Sequence, residues 1–200
     1  MKRQYTSGTY YKAIYFMKMG YTHNEISEIL NIPIEIIQRW EKGDAPVEAV
    51  KIPLSVIKKR ISKYKYPELT SKNLPLYSAL LGIFTGAGTI TISYTYRERK
   101  GYGEFEHIIA LITDKFDFIQ ITSNILAKII GTDIAISEKS GKWGIRFRNR
   151  DLACFLIENL TLTGHRLKKI VEYNKITILS WLFFFKLSRS RYGQYLSLIH

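Results

Sequence analysis

Three sets of side chains in this chain are spaced to meet a charged, hydrogen-bonding polymer. Ile34, Glu35, Gln38 and Arg39 fall on the outward side of a short helical stretch. Thr91, Ser93, Thr95 and Arg97 alternate with Ile90, Ile92, Tyr94 and Tyr96, and Lys142, Arg146 and Arg148 alternate with Trp143, Ile145 and Phe147. A period of two puts each of these latter sets on one face of a strand. The chemistry open to them is recognition. A guanidinium pairs with guanine or phosphate, a glutamine amide with adenine, a carboxylate with the cytosine amine, and Ile34 with a thymine methyl. Bond-making constellations are missing. His23, His107, His165 and His200 are scattered without HxxxH spacing, and Cys154 is the chain's single cysteine. That excludes an internal disulfide and a Cys-rich zinc site, and it suits a reducing compartment such as the cytoplasm. There is no Walker-type glycine loop.

Net charge agrees with this reading. The chain has 200 residues and carries +13, divided as +5 over residues 1–70 and +8 over residues 71–200. Both parts are basic, so nucleic acid is the first partner to expect and an anionic membrane the second. The longest apolar run, Ile176 to Phe185, is about half the ~20 residues a membrane span needs. No secretory signal pattern stands at Met1 to Ser7, and no membrane partner is expected. A hydrophobic content of 46% is enough for packed cores.

The outward side chains of the first set need two helices to hold them. Thr9 to Met19 reads as a helix stopped by Gly20, with Ile14, Met17 and one or two tyrosines on its apolar side. Thr22 and Glu25 have the spacing of a capping box, and Ile26, Ile29 and Leu30 follow at helical spacing. Asn31 suits the left-handed position that ends this helix, and Pro33 suits the start of the next. Ile37 and Trp40 form the buried stripe of that next helix, and Gly43 stops it. Two short helices joined by such a turn make a helix-turn-helix. The stretch Thr22–Gly43 resembles the resolvase- or MerR-like class of these readers, whose second helix enters the major groove. A helical hairpin used for protein contact has the same pattern.

Asp44 to Pro75 is punctuated by four prolines and reads as a connector, with one further helix predicted over Ser55–Tyr64. Lys58, Lys59, Arg60, Lys63 and Lys65 crowd five cations into eight residues. They form either a solvated face or a segment that tracks phosphates. The expected domains are 1–66, an all-α helix-turn-helix with its basic connector, and 75–200.

Beyond Pro75 the predicted order is helix, strand, strand, helix, strand, strand, helix, an α+β arrangement. The elements are a helix over Leu76–Thr85 ending in Gly86-Ala87-Gly88, a strand from Thr89, a strand over Glu104–Thr113 and a helix over Phe116–Ile130. A hairpin of Asp133–Lys139 with Lys142–Arg148 turns at Ser140-Gly141, Asp151 caps a helix, and Lys168–Leu187 supplies one or two more. This order, with the segment Leu80-Leu81-Gly82-Ile83-Phe84-Thr85-Gly86-Ala87-Gly88, resembles the LAGLIDADG homing endonucleases over roughly residues 75–185.

The resemblance implies an αββαββα domain with an antiparallel DNA-binding sheet. It also implies a homodimer joined through Gly82 and Gly86, which lie four apart on one helix face, and a roughly palindromic double-stranded site. In that family the residue before the motif's final glycine is acidic and holds the divalent metal. Here it is Ala87, and the earlier acidic position is Thr85. The chain is therefore expected to bind DNA without a metal cofactor and without cutting, with Mg²⁺ entering only if an acid is restored at that position. Two histories fit: a nuclease that became a transcriptional or mobile-element regulator, or a nuclease whose acid was replaced by alanine.

Overall fold

The computed structural model describes residues 5–97 and 102–160. The helices expected over Lys168–Leu187 lie outside these residues. The described chain is α+β. Helices α1 (Ser7–Lys18), α2 (His23–Leu30), α3 (Ile34–Glu41), α4 (Leu54–Lys58) and α5 (Leu74–Gly86) precede strands β1 (Gly88–Arg97) and β2 (Tyr102–Thr113). Then come α6 (Phe116–Ile130), β3 (Ile136–Lys139), β4 (Lys142–Arg148) and α7 (Arg150–Leu160). The four strands form one sheet in the order β1-β2-β4-β3, with β3 and β4 antiparallel. Two compact units divide the chain discontinuously. Of the described residues, one unit comprises 5–66, 90–97, 102–108 and 148–160, and the other 67–89 and 109–147.

In the first unit, α1 begins at Thr6, whose Oγ1 accepts from the Thr9 amide at 3.3 Å. Its burial is wider than an amphipathic stripe, because every residue from Ala13 to Met19 is buried, together with Tyr10 and Tyr11. Trp40 meets Tyr10 edge-on at 5.6 Å, and Tyr15 meets Phe105 at 5.1 Å and His107 at 4.4 Å. At its C-terminal end even Lys18 is buried, its Nζ donating to the carbonyls of Val56 and, at 2.9 Å, Lys59.

The capping box at α2 is formed: the Thr22 amide donates to Glu25 Oε2 at 2.7 Å, and the Glu25 amide to Thr22 Oγ1 at 3.3 Å. Asn31 takes the left-handed conformation at φ 52°, and Ser27 Oγ donates to the Ile32 carbonyl at 2.6 Å, closing the turn into α3. The helix expected over Ser55–Tyr64 is confined to Leu54–Lys58. Its continuation is prevented because Lys59 is extended, its carbonyl is taken by Lys18, and the Ile61 amide donates to the Lys18 carbonyl at 2.9 Å.

Helix α7 brings polar groups into this apolar setting. Asn149, and not Asp151, caps it, its Oδ1 accepting from the Leu152 amide at 2.9 Å, three residues on as a cap requires. Arg150 donates through Nε to the Tyr15 hydroxyl at 2.6 Å and through Nη2 to the Ser62 carbonyl. Buried Glu158 accepts from the hydroxyls of Tyr21 and Tyr64. Burial and that carboxylate hold the Tyr64 hydroxyl protonated well above the ordinary tyrosine range. Cys154 is fully buried beside them, its thiol pushed up to about 12 mainly by loss of solvent.

In the second unit, residues Tyr77 to Phe84 of α5 are all buried, and α5 packs on α6. α6 runs as the sequence suggests and ends at Gly131. No side chain caps its start: Asp114 and Asp117 leave the Lys115 cap position unassisted, while the Lys115 amide donates to Thr113 Oγ1 at 3.2 Å. β3 is shorter than expected, starting at Ile136, because Ser123 Oγ takes the Ile134 carbonyl at 2.8 Å. Ser140 at φ 54° and Gly141 at φ 72° make the two-residue hairpin turn with both central residues left-handed.

His107 is 8% exposed and its Nε2 has no hydrogen-bond partner among the described residues. Desolvation, with a contribution from Arg150, lowers its pKa from 6.5 to about 4. The unfolded chain thus binds a proton that the folded one refuses. Stability is full above pH 6.5 and falls as pH drops toward about 4, by up to about 1.4 kcal/mol per pH unit inside that window. His107→Phe, which keeps a ring against Tyr15, should flatten this part of the stability profile measured by urea unfolding. Thr22→Ala should cost about 1 kcal/mol in the same assay at neutral pH through loss of the capping box.

Candidate nucleic-acid interface

Within the first unit, packing decides which side of α3 is free. Ile37 and Trp40 enter the core, leaving Glu35, Gln38 and Arg39 exposed and Ile34 half-buried, as the helical spacing predicts. Arg39 is not isolated. Its Nε donates to Asp44 Oδ2 at 2.8 Å and its Nη2 to the same oxygen. Sequence reading missed Asp44 as a site residue, since it lies past Gly43 and outside the helix. Arg39 and Asp44 share the lining of an open groove of about 310 Å³ with Tyr5, Ile36, Trp40, Pro46 and Val47. Glu41, on the neighbouring turn of α3, lies 3.1 Å from His23 Nε2.

The connector cations divide. Lys58, Lys59 and Arg60 are all exposed. Arg60 also donates through Nη1 to the Met17 carbonyl, so it serves as a C-terminal partner of α1.

On β1 the alternation holds in the middle of the strand, where Ile92 and Tyr94 are buried, Thr91 and Ser93 half-buried, and Thr95 exposed; Ile90 is only half-buried, and Tyr96, expected on the buried face, is exposed, next to the strand's end at Arg97. Arg97 closes the strand, and its side chain lies outside the described set. Arg148 is exposed and pairs through Nη2 with Glu106 Oε1 on β2 at 3.2 Å. Glu106 is the second carboxylate that sequence reading passed over. The signal for it is its place in the period-two pattern of β2, where His107, Ile109 and Leu111 point to the core.

In the second unit, Lys142 and Arg146 are exposed on β4 while Ile145 is buried. The register sets Lys139 of β3 opposite Lys142 and Ser137 opposite Gly144, so Lys139 joins the same polar face. A side chain on Gly144 would press on the Leu111 carbonyl at 3.3 Å.

The end of α5 carries the acid-bearing position of the resembled motif. Ala87 is the C-cap, half-buried, its amide donating to the Ile83 carbonyl at 3.2 Å. Gly88 must be glycine here, because a Cβ would meet the Phe84 ring at 1.9 Å. Gly82 is buried and Gly86 half-buried. The residues present do not fit a divalent ion. A methyl group offers no oxygen, and the Thr85 hydroxyl is spent on the Leu81 carbonyl at 2.7 Å. Among the described residues no cluster of three or more carboxylate, histidine or cysteine groups could hold one. Among the same residues no helix is long and apolar enough to cross a membrane.

No protein-family model matches the chain, and no curated protein matches it. Among solved structures it is similar to an I-DmoI variant in complex with nicked target DNA in the presence of Mn. That match has 14% identity and a TM-score of 0.43, and covers 56% of this chain and 61% of the other. It is similar to mesophilic variants of the homing endonuclease I-DmoI (12%, TM-score 0.43, 57% and 62% covered). It is also similar to the homing endonuclease I-CvuI in complex with its target in the presence of Ca (15%, TM-score 0.33, 60% and 71% covered). The chain spans about three fifths of the length of those I-DmoI chains.

The two carboxylate–arginine pairs are exposed, and pairs of this kind contribute about 0.2–1 kcal/mol. Asp44→Ala and Glu106→Gln should therefore each leave the melting temperature within about 4 °C of the parent by differential scanning fluorimetry.

Proposed function

We propose that this protein is a sequence-specific double-stranded DNA-binding protein of LAGLIDADG type that does not cut DNA as it stands. The observation that carries the reading is the repeated sorting of side chains. On α3, β1 and β4 the residues Ile37, Trp40, Ile92, Tyr94 and Ile145 go to the core, and the amide, hydroxyl, ammonium and guanidinium groups between them stay half-buried or exposed on a chain of net charge +13. In this reading α3 enters a major groove with Gln38 and Arg39 toward base edges. Thr91, Ser93, Thr95, Arg97 and Arg148 of one unit, and Lys142 and Arg146 of the other, contact bases and backbone. Lys58 and Lys59 add phosphate contacts. Two chains meeting through the Gly82–Gly86 side of α5 recognise a pseudo-palindromic site of roughly 22 bp or more. Ala87 leaves the bound duplex intact, which suits a regulator of transcription or of a mobile element acting in the cytoplasm, on the nucleoid.

Selection from a random duplex pool followed by gel shift tests this. The expected result is one enriched two-fold site, bound as a dimer by sedimentation. Its affinity falls with salt by about 0.9 log units per log unit of salt for each phosphate neutralised. Enrichment of no sequence at moderate salt overturns the proposal.

A second reading is favoured by the half-buried position of Ala87 at the end of α5, where a longer side chain has access to solvent. There the protein is a Mg²⁺-dependent site-specific endonuclease with its acid replaced. Ala87→Asp or Ala87→Glu should then cleave the selected site when Mg²⁺ is added. Intact binding without cleavage in both variants leaves the regulator as the better account.

A further inference from the structure

Two arginines assigned above to DNA are each held by a carboxylate, whereas Lys142 and Arg146 have no such partner among the described residues. The division is not explained by stability, because both pairs are exposed and of the kind that adds little. Nor is it explained by affinity. A carboxylate beside a phosphate-binding arginine cancels its charge and repels the backbone, so a surface selected only to hold DNA tightly would lack Asp44 and Glu106.

The geometry at Arg39 gives the pair a use. A guanidinium has five N–H donors in a rigid plane. Asp44 Oδ2 occupies Nε and one hydrogen of Nη2, which is one edge of that plane. Both Nη1 hydrogens and the second Nη2 hydrogen are left, and one from each nitrogen forms the adjacent, end-on fork of the plane. Two parallel donors of that kind match the O6 and N7 acceptors of guanine. The contact to Asp44 also fixes the rotation of a side chain that is otherwise long and mobile, so the fork is ordered before the duplex arrives. Glu106 holds Arg148 through a single hydrogen bond from Nη2 at 3.2 Å, without an Nε contact, so it restrains that guanidinium more loosely.

We propose that Asp44 and, more weakly, Glu106 are positioning residues for specificity. They commit Arg39 and Arg148 to guanine and suppress their use as phosphate binders, while Lys142 and Arg146 hold the backbone. This rests on the DNA-binding reading of the preceding subsection. Its signature separates it from a structural role: removing the carboxylate weakens discrimination but strengthens binding to arbitrary DNA, because a repulsive group has gone.

The experiment uses the full chain, the site selected by the parent protein, and a scrambled duplex of equal length, read by fluorescence anisotropy over a salt series. The parent site should contain a guanine whose replacement by adenine weakens binding about tenfold or more. In Asp44→Ala that penalty should fall to about threefold or less. Affinity for the scrambled duplex should rise at least about twofold, with the salt slope steeper by about one. Arg39→Lys, which keeps the charge and loses the fork, should abolish the guanine preference while scrambled binding is retained. Glu106→Gln should act in the same direction on a different base, by a smaller factor. Retention of the full guanine penalty in Asp44→Ala, or loss of scrambled binding together with specific binding at an unchanged melting temperature, overturns the proposal. If the parent protein itself selects no site, the DNA-binding reading has failed. If the parent selects a guanine and Asp44→Ala reads it equally well, only the positioning role has failed.

Discussion

Burial of α1 on nearly every side is the constraint on which the rest of the first unit depends. A twelve-residue helix with a wholly buried C-terminal half cannot be a surface helix with one apolar stripe. It has to be surrounded, and its own side chains say by what. Tyr10 takes Trp40 of α3, Tyr15 takes Phe105, His107 and Arg150, and Lys18 takes the carbonyls that end α4. The outward face of α3 is thereby fixed at its root. Trp40 points inward because Tyr10 is there to receive it, and Gln38 and Arg39 are left outside as a result. The polar surface and the aromatic packing in the core are two sides of one helix.

The polar interior follows the same logic. Glu158 is tolerated because two tyrosine hydroxyls donate to it, and Arg150 because a hydroxyl and a serine carbonyl accept from it. These side chains bring together residues far apart in the chain, Tyr21 and Tyr64 with Glu158, and Tyr15 with Arg150. Such bonds are lost together if α7 is displaced, so the helix after β4 is as much a part of the first unit as α1 to α4.

Much of this was legible in the sequence, and for local reasons. The capping box at Thr22 and Glu25, the left-handed Asn31, the α6 limits at Phe116 and Ile130, and the Ser140-Gly141 turn are each determined by a few neighbouring residues. The alternation along β4 and the middle of β1 placed buried and exposed faces correctly because a strand's period leaves little choice, and it failed at Tyr96, where β1 is ending. What escaped was set at a distance. α4 stops early because Lys18, some forty residues back, takes its carbonyls. β3 starts late because Ser123 takes the Ile134 carbonyl. Asp44 and Glu106 were passed over since acidic residues look out of place among basic ones until their arginine partners are seen.

The chain's single cysteine is sealed in the first unit with a thiol pushed up to about 12, so almost none of it is thiolate at neutral pH. The protein is consequently blank to maleimide and to disulfide-forming reagents while folded. A cysteine placed at Gln38 or Arg146 will be the only reactive sulfur on the molecule. The surface is ready for site-directed spin labels or crosslinking to a modified nucleotide, with no native residue to be engineered away first.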